Sequence, residues 1–100
     1  MTYLDDIADA IRANIPEHLI PSEDTDALFR LYAVLALAKG PAVEPSDVHN
    51  AWAAWMHERD PNHPAIRPFD ELDADTQRMD EPFAQAIGAV SAEGGFGAGA

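Results

Sequence analysis

Cysteine is absent from the 100 residues, so the chain has neither a disulfide nor a thiolate to bind metal or act as a nucleophile. Basic side chains are scarce: six Lys and Arg stand against eighteen Asp and Glu, a formal net charge of −12. Nucleic acid and anionic membrane both bind through basic residues that displace counterions, so neither is expected as a direct partner. The acidity suits a solvated surface first, and beyond that a basic protein partner or a mimic of DNA. Long apolar runs are missing too. The longest, Leu31 to Ala38, is far below the ~20 residues that cross a bilayer. The start, Met1-Thr2-Tyr3-Leu4-Asp5-Asp6, has no basic region leading into an apolar stretch, and a soluble, cytoplasmic protein is expected.

Glycine is rare outside the end of the chain, where Gly94, Gly95, Gly97 and Gly99 cluster. No glycine-rich loop precedes a helix, which removes the usual phosphate cradle. The histidines His18, His49, His57 and His63 do not pair at the spacing of a helical zinc motif, and neither a metal nor a cofactor is expected. Ser46 reads as a helix cap and Ser91 as a frayed end rather than as nucleophiles. Carboxylates are too plentiful to single out an acid–base pair. The expectation is a binding protein and not an enzyme.

What is present is helix-forming. Apolar residues make up 47% of the chain, enough for one modest core. They are rich in Ala and Leu and poor in β-branched and aromatic types, which favours helix over sheet. Thr2 can cap a first helix running to Asn14, with Leu4, Ile7, Ala8, Ile11 and Ile15 on one face; Pro16 stops it. His18, Leu19 and Ile20 are expected to fold back on the core. Asp24 or Thr25 can cap a second helix ending at Gly40. From Leu31 onward this helix has no polar face, which marks it as the central helix, as a homodimer interface over Leu31 to Ala38, or as both.

Ser46 can cap a third helix, Asp47 to about Arg59, whose stripe is Val48, Ala51, Trp52 and Trp55, flanked by His49 and Met56. After a turn-rich break, Ala65 to Phe69 reads as extended, because residues before proline leave the helical region; one short strand could form there. A turn at Ala74 to Met79 precedes a last helix, from Asp80 to Ala92, with Phe83, Ala86, Ile87 and Val90 as its apolar face. The fold class is therefore mainly α: a small single-domain bundle of three to four helices with one extended crossing segment. Residues 1–92 form one domain, with a helical pair over 1–45 and a module over 46–92, and 93–100 form a disordered tail.

The order of residues within the second half is distinctive. His49 and Trp52 stand on a helix, then His63-Pro64-Ala65-Ile66-Arg67-Pro68-Phe69, then Leu72, then Asp80 opening an amphipathic helix. Over residues 47–90 this order resembles the RyR domain, the helical module of ryanodine receptors that also stands alone in bacterial and phage proteins. The family's Gly-Trp-x-Tyr-Gly-like stretch is not found here, and only one copy is present. The resemblance implies a phage- or prophage-borne binding module whose opening-helix tryptophan stacks on an adenine-like ring. Carried onto this sequence, the ligand site is Trp52 with His49, Trp55, His63, Arg67 and Phe69, taking a small planar, nucleotide-like ligand. An indole face contributes ~1–3 kcal/mol of stacking to a base, and an imidazole can donate to a ring nitrogen or phosphate. The alternative is an assembly protein, a homo-oligomer whose acidic coat engages a basic host partner.

Overall fold

Helix α1 (Tyr3–Ala13) begins where the sequence puts its cap. The Asp5 N–H donates to Thr2 Oγ1 at 3.3 Å and the Thr2 N–H to Asp5 Oδ2 at 3.2 Å, which satisfies donors the helix end would otherwise leave open. The computed structural model describes residues 2–21 and 24–94. Ile7, Ile11 and Ile15 are buried, each contributing about 1.5–3 kcal/mol of transfer free energy. A 3-10 turn, Glu17–Leu19, follows Pro16. Of the stretch expected to fold inward, Ile20 packs against the core, while His18 and Leu19 stay exposed.

Helix α2 (Asp26–Lys39) is central, touching α1, α3 (Pro45–Arg59) and α5 (Glu81–Gly94). Its buried side is Leu28, Phe29, Tyr32, Ala33 and Ala36. The opposite side is only partly covered: Val34 is 47% exposed, and Leu31, Leu35 and Leu37 are half-buried against the core. The helix ends at Gly40, whose φ of 58° and ψ of −141° suit glycine alone. Helix α3 begins two residues earlier than expected. Pro45 occupies its first turn, and the Glu44 N–H donates to Asp47 Oδ2 at 2.9 Å; Glu44 is the cap and Ser46 lies inside the helix. Proline is pre-set for that position and loses no bond there.

Between α3 and α5 the chain is irregular. Helix α4 (Ala74–Arg78) is a single turn capped by Asp73, whose Oδ1 accepts from the Thr76 N–H at 2.7 Å. No strand occurs among the described residues. The segment expected to be extended coils instead through turns, with Ile66 N–H bonded to His63 O and Arg67 N–H to Ala65 O. A lone strand would have had no edge to pair with, and the turns satisfy its backbone locally. Helix α5 packs on α1, α2 and α3, so both halves of the chain share one core. Ser91 is not frayed: it is buried, and its hydroxyl donates to Ala36 O at 3.0 Å. Of residues 93–100, Glu93 and Gly94 lie in α5, and 95–100 are outside the described residues.

Candidate functional site

Helix α3 presents His49 and Trp52 one turn apart, and the irregular segment after it wraps around both. The His49 ring is buried and its Nε2 lies 2.7 Å from Arg67 O. A carbonyl only accepts, so Nε2 carries the hydrogen. Trp52 is half-buried, stacked against His49 (centroids 5.8 Å, 25° between planes) and met edge-on by His63 at 5.1 Å. His63 Nδ1 accepts the Ala65 N–H at 3.1 Å. Phe69 lies tilted behind His49 at 6.1 Å. The result is a row of four rings, Phe69, His49, Trp52 and His63, fastening the irregular segment to α3.

Not all six residues named from sequence join this row. Trp55 points into the core, 5% exposed, with the Arg59 guanidinium 4.3 Å over its ring. It sits three positions from Trp52, but the core claims its whole surface. Arg67 contributes its carbonyl to His49, while its side chain is exposed.

A cleft of about 170 Å³ opens on the far side of His49 and Trp52. Its other walls are Tyr32 from α2, and Asp80 and Phe83 at the start of α5; Leu19, Pro21 and Met79 rim it, over Leu28. Tyr32 packs on Phe83 at 5.8 Å. Burial raises the Tyr32 hydroxyl pKa, and the neighbouring Asp80 carboxylate raises it further. Burial likewise pushes Asp80 from 3.8 up to about 6, with His49 pulling the opposite way. Two of the large apolar side chains most exposed to solvent, Met79 at 69% and Leu19 at 37%, stand at this rim.

Of these walls, only His49 and Trp52 are among the site residues to which the sequence points. In the sequence Phe83 reads as part of an apolar helix face and Asp80 as a helix start. The signal at Tyr32 and Asp80 is chemical: a hydroxyl and a carboxyl among apolar neighbours. Two roomier concavities elsewhere, of about 770 and 530 Å³, have no aromatic ring in their walls. Among the described residues no group of three or more His, Asp or Glu is gathered closely enough to hold a metal ion, and no helix is long and apolar enough to cross a membrane.

A family model described as Domain of unknown function (DUF7701) matches residues 2–92. No curated protein and no solved structure matches. The family match overturns the resemblance to RyR domains over 47–90: it runs through α1 and α2 as well as the ring-bearing half. The His-Pro and Pro-Phe pattern that suggested the likeness serves here to pin a coil onto α3.

Proposed function

The chain belongs to the DUF7701 family, and we propose that it is a non-enzymatic binding module whose recognition element is the cleft beside Trp52. The carrying observation is an indole and an imidazole walling a concavity of about 170 Å³ that the protein's own side chains leave open. That volume selects the ligand's size. An apolar cavity of ~150 Å³ holds a benzene, whereas sites for drug-sized molecules start at ~300 Å³. One ring enters, as a base would, and the sugar and phosphate of a whole nucleotide stay outside. Phosphate is further disfavoured by Asp80 in the wall and by the net charge of −12.

Two-dimensional NMR of the indole N–H groups tests this, since Trp52 and Trp55 report separately. Benzyl alcohol and adenine are expected to shift the Trp52 signal and leave Trp55 in place, with AMP weaker than adenine. Silence from Trp52 toward every ring, or unchanged binding in a folded Trp52→Ala variant, counts against a binding cleft.

A second reading rests on the partly covered side of α2, where exposed Val34 lies among half-buried Leu31, Leu35 and Leu37. A second copy seated there would form a homodimer. Sedimentation at high concentration decides it: a strict monomer removes this reading and leaves the cleft untouched.

A further inference from the structure

We propose that the cleft selects an organic cation, an ammonium group on a small apolar body, with the Asp80 carboxylate as counter-ion and the rings of Tyr32, Trp52 and Phe83 as walls. This rests on the reading of the cleft as a binding site and adds the charge of what it takes. Asp80 lines the cleft, and its carboxyl group has no hydrogen-bond or salt-bridge partner among the described residues. No Lys or Arg side chain comes to it, and of the basic groups only the His49 imidazole faces it. Arg12 pairs with Asp26 at 3.2 Å, Arg30 with Asp5 at 3.0 Å and Lys39 with Asp47 at 3.6 Å. Arg78 pairs with Asp75, Arg59 lies on Trp55, and Arg67 is exposed. None of the six lines the cleft.

The protein thus places a half-buried carboxylate in an aromatic hollow without neutralising it. The raised Asp80 value, about 6, expresses the same fact: burial disfavours the charge and nothing on the protein fully offsets it. A ligand cation supplies what is missing. Aromatic faces attract a positive charge within ~6 Å of the ring centre, and a charged partner on a carboxylate makes a stronger bond than a neutral one. The apolar rim of Leu19 and Met79 suits the body that carries the charge. The field of a −12 protein concentrates cations at its surface before any contact forms.

Three probes of one shape test it: benzylammonium, benzyl alcohol and benzoate, titrated at about pH 8 while the Trp52 indole signal is followed. Benzylammonium is expected to bind at least about tenfold tighter than benzyl alcohol, and benzoate not at all. In Asp80→Asn the cation should lose its advantage over benzyl alcohol, and a Trp52 signal that benzyl alcohol still shifts shows that the variant retains its cleft. If Asp80→Asn does not fold, the pH dependence of the wild-type protein carries the test: an advantage of benzylammonium over benzyl alcohol that is lost as pH falls from about 8 through about 6 supports the pairing, and one that persists overturns it. Equal affinity for benzylammonium and benzyl alcohol overturns the cation selectivity and leaves the binding module standing. Binding of none of the three overturns both.

Discussion

Replacing Asp80 by Asn is expected to make the free protein more stable, by an amount that depends on pH. Burial pushes this carboxyl from 3.8 to about 6, and the groups facing it are the neutral phenol of Tyr32 on α2 and the imidazole of His49 on α3. Converted in full, such a rise is ~3 kcal/mol of preference for the protonated form. The group is only half-buried, so screening removes a large part. A carboxylate at the start of α5 also gains ~0.5 kcal/mol from the helix dipole, which an amide forgoes. About 1 kcal/mol remains. The folded value lies above the unfolded one, so the native state keeps this proton longer as pH rises. Below about pH 4 both states are protonated and the variant gains nothing; the gain grows up to about pH 6 and is complete above it. Asn starts a helix as well as Asp does. In a domain of this size ~1 kcal/mol moves Tm by ~4–8 °C. Thermal unfolding followed by circular dichroism at about pH 4 and pH 8 checks it. The same Tm difference at both, or a variant that melts lower at the higher pH, refutes the reasoning.

Other substitutions probe the scaffold. Thr25 is 2% exposed and its hydroxyl has no partner among the described residues; Thr25→Val keeps the shape, removes that polar group and should raise stability by ~1 kcal/mol in urea titration. Gly88 lies inside α5, and a Cβ there would meet Val43 Cγ1 at 3.7 Å and Pro41 O at 3.8 Å, ordinary contacts. Gly88→Ala should therefore stabilise by ~0.5–1 kcal/mol through helix propensity; a loss would show that α5 and the Pro41 turn are packed more tightly than those distances imply. Ser91→Ala removes the bond to Ala36 O, but that carbonyl also accepts the Gly40 N–H. A modest cost of ~1 kcal/mol in urea titration is expected, rather than the larger one of a stranded acceptor.

The helices were legible because local chemistry dictates them. Thr2, Pro16 and Gly40 mark starts and stops that do not depend on the rest of the fold. The isoleucine spacing of α1 likewise gave its buried face. Ser46 misled because Pro45, one residue before it, can itself begin a helix. The coil between α3 and α4 was harder to read. Its prolines exclude helix, but whether it extends or turns is settled by His49 and Trp52, which reach it from another element. The candidate site was half legible for the same reason. His49 and Trp52 share a helix, whereas Tyr32, Asp80 and Phe83 come beside them only when α2 and α5 pack. The apparent RyR pattern drew on common residues in a suggestive order, and the family match across 2–92 shows that order alone was not diagnostic.

The bond from His49 to the Arg67 carbonyl has a bearing on how the cleft responds to acid. Nε2 is the donor whether or not the ring takes a second proton at Nδ1, so this tether does not depend on the charge of the ring. Acidification that discharges Asp80 therefore leaves the His49 wall where it was. The hollow would change its polarity while keeping its contour, releasing a positively charged guest without any hinge having to open.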